Sequence, residues 1–226
     1  MRRIPKGTKG VYKERKTRKD GELHLMGTNY QLILDKTLEK IKENDVTPRL
    51  LMHSCCAPCS SYCIEYLSKY FEITILYYNP NIEPHEYDRR LSEQKRFVEE
   101  FKTDNKVTVV GGRYEPNEFY SAVKGYENER EGGERCEICF ALRLEEAAKF
   151  AKENGFDYFT TTLSISPLKN AETLNKIGKE MSEKYEVEYL FSDFKKRGGY
   201  LRSTKLSQEY SLYRQDYCGC VYSKRK

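Results

Sequence analysis

No stretch of this chain approaches the roughly 18 consecutive apolar residues that a membrane span requires. The basic N-terminus is not followed by the apolar run of a signal peptide. The expected location is therefore the cytoplasm, with no membrane partner. The chain also lacks any Gly-x-Gly-x-x-Gly after its first strand and any Gly-Lys-Ser/Thr phosphate loop, so dinucleotide and P-loop readings fail where they should appear. There is no internal repeat and no low-complexity linker, and 226 residues suit one substantial α/β domain.

What is present is charge and sulfur. Charged residues make up 33% of the chain and hydrophobic residues 38%, with a net charge of +5. The excess is placed at the two ends: Arg2 to Lys19 at the front, Lys195 to Arg225 at the back. Basic ends point to a polyanionic partner. Residues 1–28 show no hydrophobic period and read as a loosely ordered basic arm preceding a single α/β catalytic domain over 29–226.

From Asn29, a candidate N-cap, to Asn44 the apolar residues fall at helical spacing. Strands are expected at Arg49–His53, Glu72–Tyr78, Val107–Val110, Phe156–Leu163 and Val187–Phe191. Helices fall between them, near Ser60–Phe71, 84–104, Asn117–Tyr126, Glu137–Asn154 and Ala171–Tyr185. Such alternation describes a doubly wound, Rossmann-like (HUP-like), mostly parallel five-stranded sheet. The C-terminal segment is expected to be basic and partly helical. In such sheets ligands gather beyond the carboxyl ends of the strands. His53 to Cys59, Asn79 to Asn81, Gly111-Gly112, Ser164 to Asn170 and Asp193 to Gly199 all fall on that edge.

Eight cysteines in a reducing compartment suggest metal or redox chemistry before disulfides. They form Cys55-Cys56-x-x-Cys59, Cys136-x-x-Cys139 and Cys218-x-Cys220, spacings that aim neighbouring thiolates at one ion. Cys136 and Cys139 open a helix, whose positive end favours thiolate. The grouped cysteines exceed one tetrahedral zinc site and suit a [4Fe–4S] cluster with a second metal; structural zinc is the alternative. Cys63 lies on an apolar stripe with Ile64 and Leu67 and reads as core. His53 either orients a ligand or is a hydrogen-bonded structural residue. Asp193 is a candidate acid or oxygen ligand, or else a turn former. In the tail, Arg197, Tyr200, Arg202, Lys205 and Arg214 interleave charge with tyrosine, the combination that binds phosphates and stacks unpaired RNA bases.

His53-Ser-Cys55-Cys56-Ala-Pro-Cys59-Ser, Tyr78-Asn-Pro-Asn-Ile82, Arg135-Cys136-Glu-Ile-Cys139, Thr160 to Asn170 and Asp193 to Cys220 resemble the cobalamin-independent epoxyqueuosine reductases (QueH-type). The likeness runs from about Asn29 to Cys220. It implies removal of the epoxide oxygen of epoxyqueuosine at the wobble position of tRNAs with GUN anticodons. It also implies an iron–sulfur cluster with an adjacent mononuclear metal, iron by expectation, and an external low-potential electron donor. Cys55, Cys56, Cys59, Cys136, Cys139, Cys218 and Cys220 are the expected ligands, with Asp193 as a proton donor or oxygen ligand. Two rivals remain: an ATP-dependent iron–sulfur tRNA thiolase, which needs a glycine-rich loop where this chain has Cys-Cys-Ala-Pro-Cys, and a zinc-stapled RNA-binding module without catalysis.

Overall fold

The computed structural model describes residues 28–224. The basic arm expected over 1–28 therefore lies, but for Thr28, outside the described residues. Helix α1 (Tyr30–Glu43) opens where Asn29 Oδ1 accepts the Leu32 N–H at 3.1 Å, and it buries Leu34, Leu38 and Ile41. It leads into strand β1 (Arg49–His53), then helix α2 (Ala57–Leu67) and strand β2 (Glu72–Tyr77). Helix α3 (Pro84–Glu100) and strand β3 (Val107–Gly111) follow, then helices α4 (Pro116–Ala122) and α5 (Glu134–Glu153). Strand β4 (Tyr158–Thr161), helix α6 (Ala171–Tyr185), strand β5 (Glu188–Tyr189) and helix α7 (Gly199–Glu209) complete the order. Proline starts α3 and α4 and sits in the first turn of α2, positions where its missing N–H costs nothing.

The five strands are all parallel in the order β3-β2-β1-β4-β5. Alternation along β1 explains the two helical layers: Leu50 and Met52 face a core shared with α1, α2 and α3, whereas Leu51 faces one shared with α5 and α6. A sheet buried on both faces in this way is the doubly wound arrangement.

Two strands are shorter than their apolar runs suggest. Strand β4 stops at Thr161, because that side chain accepts the Leu163 N–H at 3.2 Å and winds Thr162–Ile165 into a 3-10 turn. Strand β5 pairs only through Glu188 and Tyr189. Beyond it, Ser192 N–H donates to Asn175 Oδ1 on α6 at 3.0 Å, which draws the chain off the ladder. Both departures release backbone onto the carboxyl edge.

Candidate metal centre

The loop after β1 is fixed from beneath. Gln94 Oε1, on α3, accepts the hydroxyls of Ser54 at 3.0 Å and Ser60 at 2.8 Å, and Asn79 Nδ2 donates to Ser54 O at 2.8 Å. Between these anchors lie Cys55, Cys56 and Cys59, whose sulfurs all lie within 4.8 Å of one another. Cys55 and Cys56 Sγ are 3.8 Å apart. Among the described residues no other trio of possible ligands comes so close.

Beside the triad opens a cavity of about 450 Å³. Cys55 and Cys59 reach it from α2 and its approach, Cys136 and Cys139 from the first turns of α5, and Cys218 and Cys220 from the C-terminal segment. Cys56 packs behind this wall, 1% exposed. Three stretches far apart in sequence thus meet at one place because each leaves or enters the carboxyl edge of the sheet. Cys63 stands apart: it is fully buried with Ile64 and Leu67, and its thiol donates to Cys59 O at 3.5 Å.

Electrostatics favour thiolate at two of these positions. Hydrogen bonds from the Cys56 and Cys59 thiols, aided by the charges of Arg143 and Lys169, hold the Cys55 thiol well below its ordinary range. A hydrogen bond from Cys220, with Lys169 nearby, does the same for Cys218. Lys169 is opposed by burial, but the thiolates of Cys218 and Cys55 outweigh it and raise its pKa. His53 is wholly buried, with Nδ1 2.9 Å from Thr161 Oγ1 and Nε2 3.1 Å from Tyr78 O. Burial, then Arg143, lowers its pKa to about 4, so the ring is a neutral brace across the ends of the central strands.

The other sequence candidates are scattered differently. Asp193 is outside the cavity lining, and its Oδ1 lies 2.6 Å from Lys195 Nζ. Arg197 is ion-paired with Asp35, and Arg202 Nε donates to Glu65 Oε2 at 3.0 Å with Nη1 bonded to Glu209 at 2.8 Å. Lys205 is exposed without an ion pair among the described residues. Only Tyr200 and Arg214 of this group reach the cavity, where they share its mouth with exposed Leu168.

Arg143 and Lys169 were absent from the sequence candidates, although Arg143 follows Cys139 by four residues, one helical turn along the same face. Lys169 stands in the Ser166-Pro-Leu-Lys-Asn170 loop that follows the turn after β4.

Comparison with known proteins gives the family. A family model described as "Epoxyqueuosine reductase QueH" matches residues 50–226. Proteins named epoxyqueuosine reductase QueH are 46% identical over 200 residues in Streptococcus pyogenes, covering 87% of this chain and 78% of that protein. In Staphylococcus aureus the identity is 44% over 200 residues, covering 86% and 83%. In Thermotoga maritima it is 39% over 181 residues, covering 77% and 89%. Neither a tRNA thiolase nor a zinc module is favoured by these matches. The sulfur-lined cavity at the carboxyl edge is thus that of a protein belonging to the epoxyqueuosine reductase QueH family.

Proposed function

We propose that this chain reduces epoxyqueuosine to queuosine at the wobble position of tRNAs with GUN anticodons, and that the sulfur-lined cavity is where the epoxide is held. The observation that carries the reading is the gathering of Cys55, Cys59, Cys136, Cys139, Cys218 and Cys220 in the lining of one cavity. The donor set fits a metal centre. Two sulfurs bound 2.3 Å from one tetrahedral ion stand about 3.8 Å apart, which is the spacing of Cys55 and Cys56. The triad therefore suits a single ion, iron by our reading. Cys136, Cys139, Cys218 and Cys220 bring four further thiols to the cavity lining, the number a [4Fe–4S] cluster takes, one for each iron. Bound there, these groups would supply single electrons from an external low-potential donor and Lewis acidity toward an oxygen.

The chain's own residues supply the rest. Epoxide plus two electrons and two protons gives alkene and water, so the departing oxygen needs a proton source. Lys169 lines the cavity and Asp193 does not, so Lys169 Nζ is the proposed donor. Leu168, Tyr200 and Arg214 at the mouth offer an apolar edge, an aromatic face and a charge to an extruded nucleoside and its phosphate. Lys205, exposed on α7, extends the charge.

Anaerobically reconstituted protein, incubated with epoxyqueuosine-containing tRNA and a reductant, should yield a nucleoside lighter by one oxygen. An unchanged nucleoside with a loaded, brown enzyme overturns the reading. Charge removal at Arg214 and Lys205 together should weaken tRNA binding and lower its salt slope by about 2; an unaltered slope removes them from the interface.

A further inference from the structure

Among the described residues three arginines are buried: Arg90 at 1%, Arg135 at 2% and Arg143 at 3% exposure. A buried guanidinium demands compensation, and two of the three have it. Arg90 Nε lies 2.7 Å from Glu86 Oε1. Arg135 Nη1 clamps the carbonyls of Tyr126, Glu127 and Glu129. Arg143 has neither a carboxylate nor such a clamp. Its Nε donates to Cys139 O at 3.2 Å and its Nη1 approaches Asn79 Oδ1 at 3.5 Å. The other N–H groups of its fork find no hydrogen-bond partner among the described residues, and the side chain lines the cavity with Cys55, Cys136, Cys139 and Cys218. The second cation of that wall, Lys169, differs in having Glu131 Oε1 4.0 Å from its Nζ.

We infer that Arg143 is the built-in counter-ion of the sulfur site, a positioning residue whose fixed charge offsets the thiolates and their cluster and eases the arrival of an electron. The inference rests on the iron–sulfur reading above. A neutral side chain would have served if the only duties at this place were to hold Cys139 O and Asn79. Instead the chain buries a charge that shares the cavity lining with the sulfurs of Cys55, Cys136, Cys139 and Cys218, with the Phe140 ring centroid 5.8 Å from its guanidinium carbon and no carboxylate paired to it. Reduction adds one negative charge near that guanidinium, so the cation stabilises the reduced state and raises the potential.

The test compares R143Q and R143K with wild-type protein after anaerobic reconstitution, reading iron per chain and, by EPR-monitored redox titration, the cluster potential. R143Q should hold the cluster at a potential lowered by at least tenfold in the reduction equilibrium, about 59 mV for one electron, and R143K should lie nearer wild type. A potential unmoved in R143Q, or lowered equally in R143K, overturns the counter-ion role. If R143Q takes up no iron, the iron contents decide: loading of R143K alone supports the inference, and failure of both charge types shows that shape and not charge is required. A wild-type protein that acquires no iron–sulfur absorption would instead overturn the parent reading, so the two failures are distinguishable.

Discussion

The C-terminal cysteines lie outside the main helices and strands, packed beside Phe119 and Val123 and leading into a short 3-10 turn, and Arg90 on α3 holds the backbone that carries Cys218. Its Nη1 donates to Cys218 O at 3.1 Å, its Nη2 to Tyr217 O at 3.4 Å, and its Nε pairs with Glu86 at 2.7 Å, with side chains 1% and 11% exposed. Breaking a buried ion pair by removing one partner costs about 3–5 kcal/mol. The lower end applies to R90M, because Glu86 keeps the Tyr213 hydroxyl at 3.2 Å and some access to water. The two freed carbonyls can regain hydrogen bonds if the segment swings outward. Its remaining ties include Glu93 to Tyr213 N–H at 2.7 Å and Arg96 to Tyr210 O at 3.0 Å near its start and, beyond Cys218, the half-exposed Lys224–Glu83 ion pair and the packing of Cys218, Cys220 and Tyr222 against Phe119, none of which replaces the hydrogen bonds to the Tyr217 and Cys218 carbonyls. A loss of about 3 kcal/mol should therefore appear as local detachment, raising the open fraction about 100-fold. Timed alkylation of the metal-free protein with peptide mapping reads this directly, with core-buried Cys63 as the internal reference. Cys218 and Cys220 should label about 100-fold faster in R90M while Cys63 stays unreactive. Equal acceleration of Cys63 would mean global unfolding, and unchanged labelling of all three would refute the strap.

Gly219 adopts a φ of +98°, and a Cβ there would meet Ile82 Cγ1 at 2.8 Å and Arg90 Nη1 at 2.9 Å. G219A should thus cost about 1–3 kcal/mol of strain in the segment and lower iron per chain although every thiol is retained; full iron loading would count against it. His53 has a folded pKa lowered to about 4, so the unfolded chain binds the extra proton between pH 6.5 and 4. Its contribution is complete above pH 6.5 and is lost as pH falls, up to about 3 kcal/mol at about 1.4 kcal/mol per pH unit. Urea midpoints of metal-free wild-type and H53N protein should converge as pH drops through this window, and parallel pH profiles would exclude the histidine as the cause. A Cβ on Gly178 would stand only 2.3–2.5 Å from three carbons of the Tyr189 ring, so G178A should destabilise by about 1–3 kcal/mol. That loss opposes the gain of up to about 1 kcal/mol that alanine normally brings to a helix; a raised melting temperature would show that α6 and β5 are less tightly packed.

Local signals were legible in the sequence and long-range ones were not. Asn29 announced α1, and Ala171–Tyr185 was readable to the residue because its helical pattern lies within one window; the Asn170 cap that opens it became visible only in the structure. The runs around β4 and β5 overreached, since periodicity cannot see Thr161 capping its own turn or Asn175 capturing Ser192 N–H. The cysteine pairs were visible as local spacings, and the strand-edge rule supplied the reason they meet at one cavity. The tail did not read as well. Arg197 and Arg202 resemble a free basic surface until Asp35 and Glu65, 162 and 137 positions away, are folded against them. Arg143 was hidden for the opposite reason: an arginine on a charged helix reads as solvated, and only its turn-spacing from Cys139 hints otherwise.

The same edge of this fold that cradles phosphate in nucleotide-binding relatives of the architecture here carries sulfur, and the physics of the two occupants is alike. Both are anionic, and both profit from helix N-termini whose free N–H groups and dipoles point at the ligand. Two such termini converge here: Cys55, Pro58 and Cys59 at the start of α2, and Cys136 at the start of α5, where Gly132 N–H donates to the Cys136 sulfur at 3.2 Å. A phosphate arrives with its charge already made and needs glycines for close approach. A thiol must first lose a proton, and here two cations, Arg143 and Lys169, line the same cavity as the thiols. Cysteine in place of glycine therefore alters more than the ligand: a thiolate gains from positive charge held close by, and that charge is found in the cavity lining one helical turn beyond Cys139.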